Sequence, residues 1–198
     1  WFLESLDRVN RAIQAIQGTH DLDRVVHDVL DLVLDLFGSD RAWVAFPCDP
    51  DAPSWRSVME RCRPEYPGVG SESASLPMDP DTASIVRLMS ESDGPIFFGL
   101  PPSPPLAESF VRRFGVQALI ATALHPRVGK PWAFGLHECA ANRAWTVAEI
   151  ELFREIGRRL ADSLTSLIAF RDLRDGAERL RLAVKASDVG LWDWNLVT

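Results

Sequence analysis

The stretch from Trp132 to Leu167 constrains the fold more than any other part of the chain. It opens with an apolar run, Trp132 to Cys139, that has the length of a buried strand. After a polar turn, apolar residues recur every three or four positions, as in a helix with one buried face. They are Ile150, Phe153, Ile156, Leu160, Leu164 and Leu167. The pattern predicts one strand that leads into one long amphipathic helix.

The start of this helix is marked by Thr146 and Glu149. A threonine three residues before a glutamate can form a capping box, in which each side chain bonds the backbone N–H of the other. Beyond Leu167 the apolar spacing continues to Val184, so we expect an unbroken helix over residues 146–185. Gly176 interrupts the pattern at a cost of about 1 kcal/mol relative to Ala.

The rest of the chain alternates between helical and strand patterns. We expect two N-terminal helices, at residues 1–17 and 22–37, and short helices at 81–91 and 106–114. The remaining apolar runs predict strands at 41–46, 55–62, 96–98 and 116–124. Together with residues 132–139 this makes five predicted strands.

Two apolar seams predict a partner helix. In the first helix, Phe2, Leu6, Val9 and Ile13 alternate at steps of four and three residues, as in a coiled coil. A second stripe runs along the C-terminal helix through Phe153, Leu160, Leu164 and Leu167. We therefore expect a homodimer that forms through the N- and C-terminal helices.

Composition excludes several classes of function. The chain has 198 residues and a net charge of −7 without a basic patch, which argues against nucleic-acid binding. Three cysteines without CxxC spacing favour a reducing cytoplasm over a disulfide framework or a zinc site. No run approaches the ~20 apolar residues that a spanning helix needs, so we expect no membrane contact by this part of the protein. Because the chain begins at Trp1, we expect that it is cut from a longer protein.

The segment HECAANRAWTVAEI, His137 to Ile150, resembles the end of a GAF domain of the phytochrome and cyanobacteriochrome branch. In that branch H-x-C is followed by R-x-W-T and then E-I. The resemblance extends upstream through Phe114 to Leu124 and covers roughly residues 1 to 170. It implies an α+β fold with a central antiparallel sheet of five or six strands. The long N- and C-terminal helices would lie on one face, and short helices and loops on the other.

Residues 180–198 resemble the opening helix and first strand of a PAS domain, in which an L-x-x-A helix precedes G-L-W-D-W. The expected organisation is a linker helix at 1–20, a GAF domain at 21–168, a signalling helix at 169–186 and the first strand of a truncated PAS domain at 187–198.

Aromatic and small residues on the central strands predict a pocket wall. The candidate ligand-binding residues are Phe97, Phe110, Phe114, Leu119, Ala121, Phe134 and His137. The same residues would also fill a core, so a ligand and simple packing both stay open. In the GAF domains that this segment resembles, a histidine at the position of His137 hydrogen-bonds a bilin.

No cofactor is predicted. The family's bilin cysteine would stand on the helix before the central strand, but here that helix reads LAESFVRRFG and contains no cysteine. A metal site built on His20 and His27 would need two more ligands, and no catalytic motif is recognisable.

The expected function is a cytoplasmic sensory module of a bacterial signalling protein. The long helix would carry a signal to a downstream PAS and output domain, most often in a two-component sensor histidine kinase with a phosphorelay or in a cyclic-di-GMP enzyme. The alternatives are a bilin-binding photoreceptor and an enzyme that reduces free methionine sulfoxide through cysteines such as Cys48 and Cys139.

Overall fold

A computed structural model describes residues 2–15, 22–68 and 75–187. The helices are α1 (Phe2–Ala15), α2 (Leu22–Phe37), α3 (Pro80–Glu91), α4 (Glu108–Phe114) and α5 (Val147–Ser187). The strands are β1 (Arg41–Phe46), β2 (Ser54–Cys62), β3 (Leu76–Pro77), β4 (Ile96–Phe98), β5 (Ala118–Leu124) and β6 (Trp132–Glu138). All predicted helices and strands are present, and β3 is an addition. The predicted PAS strand at 187–198 lies almost wholly outside the described residues.

The strands form one six-stranded sheet in the order β3-β2-β1-β6-β5-β4, and every neighbouring pair is antiparallel. The two central strands, β1 and β6, place Arg41 opposite His137 and Trp43 opposite Gly135. The predicted antiparallel sheet is thus confirmed.

Helices cover both faces of the sheet. On one face, which we call the helical face, α1, α2 and α5 pack through residues such as Val9, Leu30 and Leu160, all fully buried. On the other face, α3 and α4 pack through residues such as Met89 and Phe110. The expected arrangement, with long helices on one side and short helices on the other, is confirmed.

The core of the helical face takes up four of the eight residues expected at a dimer interface. Val9, Phe153, Leu160 and Leu164 have no exposed surface, because the apolar stripe of α5 faces the sheet of its own chain. This differs from the expectation, in which these side chains would meet a second copy. Leu167 is half-buried, and the side chains of Phe2, Leu6 and Ile13 lie outside the described residues.

Helix α5 is continuous over 41 residues and about 60 Å long at 1.5 Å per residue. Its first turn carries the predicted capping box. The Thr146 N–H donates to Glu149 Oε2 at 2.8 Å, and the Glu149 N–H donates to Thr146 Oγ1 at 3.3 Å. Among the helices of the described ranges, none combines the length and hydropathy that crossing a bilayer requires.

A β-bulge changes which side chains of β2 face α3 and α4. Val44 pairs with Met59, but Ala45 pairs with Ser57, so Val58 is the extra residue. A bulge shifts the inward and outward alternation of a strand by one position. Glu60 on one side of the bulge and Ser57 on the other therefore point to the same face of the sheet.

Candidate functional site: a cavity on the sheet face

A cavity lies between the sheet and the two short helices, and we call it the sheet-face cavity. Its volume is about 70 Å³, well above the minimum of about 10–15 Å³ that one water molecule needs. Strands β1, β2, β5 and β6 form its floor, and α3 and α4 form its roof. The lining residues are Arg41, Trp43, Ala45, Pro47, Trp55, Ser57, Glu60, Thr82, Ile85, Val86, Met89, Phe110, Phe114, Leu119, Ala133 and His137.

The roof helices are tied to each other by polar contacts. Asp79 caps α3 by accepting from the N–H of Asp81 at 3.1 Å and of Thr82 at 3.0 Å. The Arg113 guanidinium of α4 forms an ion pair with the same Asp79 carboxylate. A second link runs from the Ser109 hydroxyl of α4 to Asp81. The cap of α3 therefore also positions α4.

Five aromatic rings form a connected arc along the wall of the cavity. The centroid of Trp43 lies 5.2 Å from that of His137, which lies 6.4 Å from Phe110. Phe110 lies 4.6 Å from Phe114, and Phe114 lies 6.2 Å from Trp55. These spacings are those of interacting aromatic pairs. The arc presents flat π surfaces to whatever occupies the cavity.

Four residues that line the cavity carry buried polar atoms without a protein partner in the described part of the chain. Five buried atoms of these residues make no hydrogen bond within the described residues. They are Nε1 of Trp43, Nε1 of Trp55, Oγ of Ser57 and both ring nitrogens of His137. Buried polar groups are normally paired, so each such atom calls for an explanation. Four such side chains around one cavity point to a bound molecule or to bound water.

His137 is held in its neutral form. Burial, aided by the nearby charge of Arg41, lowers the pKa of His137 to about 3. A neutral imidazole offers one N–H donor and one nitrogen acceptor. His137 can therefore both donate to and accept from a molecule in the cavity at physiological pH.

Arg41 brings a positive charge to the floor of the cavity. Its guanidinium donates from Nε to the Tyr66 carbonyl at 3.0 Å and from Nη1 to the Phe114 carbonyl at 2.7 Å. No carboxylate of the described residues lies within 4 Å of it. Glu60, which carries the opposite formal charge, also lines the cavity.

Gly135 makes room for the indole of Trp43. A Cβ atom at position 135 would lie 2.3 Å from Cζ2 of Trp43 and 2.7 Å from its Cε2. Only glycine lets the ring lie flat over β6 at this point. The position of one wall of the cavity thus depends on a glycine of the neighbouring strand.

The structure brings together only some of the predicted pocket residues. Phe110, Phe114, Leu119 and His137 line the cavity, and Ala121 packs in the same apolar cluster without reaching it. Phe97 and Phe134 instead lie on the helical face of the sheet. For these two the structure corrects the prediction.

Four important lining residues were not predicted. Arg41 and Trp43 lie on β1, which was predicted. Because every second side chain of a strand points to the same face, they could have been placed on the same face as Ala45. Trp55 and Ser57 could not be placed in this way, because the bulge at Val58 breaks the parity of β2.

Cysteine and metal chemistry find little support within the described residues. Burial raises the pKa of Cys48, Cys62 and Cys139 to about 11 each, so the thiols stay protonated at pH 7 and are poor nucleophiles. None of the three lines the cavity. No group of three or more His, Cys, Asp or Glu side chains in this part of the chain could hold a metal ion.

Strand β6 connects the cavity to helix α5. Ala133 and His137 line the cavity, whereas Phe134 and Leu136, which alternate with them, pack in the core of the helical face. Because successive side chains of a strand point to opposite faces, a shift of β6 moves both sets together.

A polar cluster fixes the start of α5 to the end of the same strand. Arg143 Nη1 donates to Glu138 Oε1 at 2.6 Å and to the Phe37 carbonyl at 2.8 Å, and Nη2 forms an ion pair with Glu149. The Ser39 hydroxyl donates to Glu138 Oε1 at 2.8 Å. The first turn of α5, the last residue of β6 and the end of α2 are thereby held together.

Comparison with known proteins identifies the fold. No family model matches the sequence, and no curated protein matches it. Among solved structures, the phycoerythrobilin-bound GAF domain of a cyanobacterial phytochrome superposes with a TM-score of 0.68 at 16% identity, over 84% of this chain and 98% of that one.

Two further structures agree. A phycocyanobilin-bound GAF domain from a cyanobacterial phytochrome gives a TM-score of 0.64 at 16% identity, over 84% of this chain and 95% of that one. The chromophore-binding domain of a bacteriophytochrome from R. palustris gives 0.65 at 16% identity, over 86% of this chain and 62% of that one. These similarities, with the six-stranded antiparallel sheet and its two helical layers, show that the chain has the GAF-type fold.

Proposed function

We propose that this chain is a sensory module in which occupancy of the sheet-face cavity is transmitted to helix α5. The observation that carries the proposal is the alternation along β6, where His137 faces the cavity and Phe134 packs on Phe153 of α5. A ligand that binds one arrangement of β6 better than another would shift the position of α5.

The second half of α5 supports a role in transmission. Leu173, Ala177 and Leu180 follow one another at steps of four and three residues, and all three are exposed. Such a seam favours pairing with the same helix of a second copy. We therefore keep the homodimer as a proposal, with the contact moved from Leu160 and Leu164 to the part of α5 beyond Leu167.

The signal would pass along α5 to the segment that follows it. The proposed setting is a cytoplasmic bacterial signalling protein with a downstream PAS domain and an output domain such as a sensor histidine kinase. In this setting a rotation or change of register of the paired helices is the transmitted event.

The transmission can be tested by disturbing the cavity side alone. Gly135→Ala places a methyl group against the Trp43 ring, and we expect amide hydrogen exchange to rise severalfold in residues 147–160 of α5 as well as in β1 and β6. The double variant Gly135→Ala/Trp43→Val relieves the clash and should return α5 toward its wild-type exchange.

The matched control is Gly176→Ala, which adds the same methyl group to α5 where nothing lies within 4 Å. It should leave exchange in residues 147–160 unchanged. If Gly135→Ala alters exchange only in the strands and leaves α5 as in the wild type, the proposed transmission is wrong.

A bilin-binding photoreceptor is the second candidate, because the similar solved structures include GAF domains with bound phycoerythrobilin and phycocyanobilin. Two observations weigh against it. The cavity of about 70 Å³ is far below the ~300–1,000 Å³ of pockets for drug-sized ligands, and no cysteine lines it. Coexpression with bilin synthesis decides the question, since a coloured product with strong visible absorption would support this candidate and a colourless one would reject it.

A further inference from the structure

We propose that the sheet-face cavity takes a small, planar, uncharged molecule of about one ring that offers hydrogen-bond acceptors to buried donors, as a conjugated amide does. The inference rests on the proposed function, because it names the ligand class of the same cavity. It depends on three properties of the lining: its shape, its unpartnered polar atoms and its charges.

The shape of the lining favours a flat molecule. The arc of five rings from Trp43 to Trp55 offers π faces and ring edges, against which planar conjugated groups pack better than branched aliphatic ones. The roof adds the flexible side chain of Met89, which is 2% exposed and can adapt to the outline of a ligand. The volume of about 70 Å³ limits the buried part to less than a whole ring, since a cavity of about 150 Å³ takes benzene.

The unpartnered atoms define the polar edge of this molecule. The two indoles, Trp43 and Trp55, can only donate, whereas Ser57 and neutral His137 can each donate and accept. Donors therefore outnumber acceptors around the cavity. A ligand with a carbonyl or a ring nitrogen satisfies them, and a purely apolar ligand leaves them buried and unpaired, which is unfavourable.

The charges of the lining favour a neutral ligand. Arg41 and Glu60 carry opposite formal charges, so the cavity has no net charge with which to compensate an ion. The Arg41 guanidinium already donates to two backbone carbonyls. Burying an ion without a counter-charge costs far more than burying a neutral polar group that is hydrogen-bonded.

The test uses four probes of nearly equal size with the 198-residue chain. Benzamide is planar, neutral and offers a carbonyl, benzoate is the matching anion, benzamidine is the matching cation, and toluene lacks the polar edge. Dissociation constants are measured by titration calorimetry and by ligand-observed NMR. We expect benzamide to bind at least tenfold more tightly than benzoate and benzamidine, and at least fivefold more tightly than toluene.

Variants of the lining locate the binding. Trp43→Phe and Ser57→Ala each remove one unpartnered polar atom and should weaken benzamide binding about three- to tenfold, as expected for one lost hydrogen bond. Trp145→Phe is the control, because its indole Nε1 is also buried and unpartnered but lies in the core of the helical face. It should leave the affinity for benzamide unchanged. Circular dichroism checks that each variant is folded. If one of the two lining variants does not fold, the other is compared with Trp145→Phe.

The possible outcomes separate this inference from the proposed function. Equal or tighter binding of benzoate, benzamidine or toluene overturns the ligand class, and so does the failure of all four probes to bind. An equal loss of affinity in Trp145→Phe would also overturn it. None of these results affects the hydrogen-exchange comparison of Gly135→Ala with Gly176→Ala, which tests transmission without any ligand.

Discussion

The ring of Phe134 on β6 stacks on the ring of Phe153 on α5, with centroids 4.6 Å apart and planes inclined by only 4°. Both side chains are fully buried. The stack lies on the opposite face of β6 from His137 and the cavity. It joins β6, whose other face lines the cavity, to helix α5.

Loss of this stack should destabilise the whole domain. Phe153→Ala removes a fully buried ring, and we expect the free energy of unfolding to fall by about 3–5 kcal/mol. The measurement is urea denaturation followed by circular dichroism. The control is Leu173→Ala on the same helix, where the side chain is 74% exposed and the change should stay within about 0.5 kcal/mol. Equal effects of the two substitutions would show that Phe153 does not contribute to the core as described.

The stability of the domain should depend on pH through His137. Its folded-state pKa of about 3 lies below the ordinary histidine pKa of 6.5, so between these values the unfolded state binds the proton more strongly. The free energy of unfolding should therefore decrease as the pH falls below 6.5, by up to about 1.4 kcal/mol per pH unit, and should not depend on this group above that pH.

The contribution of His137 can be separated from that of the carboxylates by comparison with variants. In His137→Gln the loss of stability between pH 6.5 and pH 5 should be smaller than in the wild type by about 1.6 kcal/mol. His125→Gln, at an exposed position, should follow the wild-type curve. A wild-type and a His137→Gln curve that run parallel over this range would contradict the buried, neutral imidazole.

Arg143 should matter more than an ordinary surface arginine. Arg143→Ala leaves the buried Glu138 carboxylate with the Ser39 hydroxyl as its side-chain donor within the described residues, and we expect a loss of about 2–3 kcal/mol at pH 7. Burial already raises the pKa of Glu138, in spite of hydrogen bonds from Ser39 and Arg143 that act against it. Since a raised pKa means that the folded state takes up the proton more readily, the loss should shrink as the pH falls and Glu138 becomes neutral.

The control for Arg143 is Arg112, whose ion pair with Glu108 on α4 is exposed on both sides. Arg112→Ala should cost no more than about 0.5 kcal/mol. If thermal or urea denaturation gives Arg143→Ala the same small loss at pH 7, the cluster does not hold α5 to the sheet.

The capping box should stabilise the first turn of α5. Thr146→Ala removes the hydroxyl that accepts from the Glu149 N–H, and we expect a loss of about 1 kcal/mol in urea denaturation. Thr146→Ser keeps the hydroxyl and should retain most of the stability. A serine variant as unstable as the alanine variant would assign the effect to the threonine methyl group.

The sequence predicts the framework well because its signals are local. The capping residues Thr146 and Glu149 and the spacing from Ile150 to Val184 identify α5, and short apolar runs identify the strands. Each of these signals spans a few residues and does not depend on distant partners.

The cavity is harder to predict because it depends on the alternation of side chains along paired strands. Phe134 and His137 are three residues apart, so on one strand they must point to opposite faces, and strand parity alone would have separated them. The face of Phe97 follows from strand pairing. Phe97 lies opposite Ile120, which packs on the helical face, whereas Leu119 lies opposite His137 on the cavity face. The bulge at Val58, which brings Trp55 and Ser57 to the cavity, arises from the register between two strands and has no local signal.

The most direct test of the central claim asks whether a change on the helical face is felt in the cavity. Coupling between two sites is reciprocal, so a substitution that alters the stack on α5 must alter ligand affinity if the two faces are linked through β6. Phe153→Leu, which lines no part of the cavity, should change the dissociation constant of benzamide at least fivefold, while Leu173→Ala should leave it at the wild-type value. An unchanged dissociation constant in folded Phe153→Leu would contradict the coupling of cavity and helix.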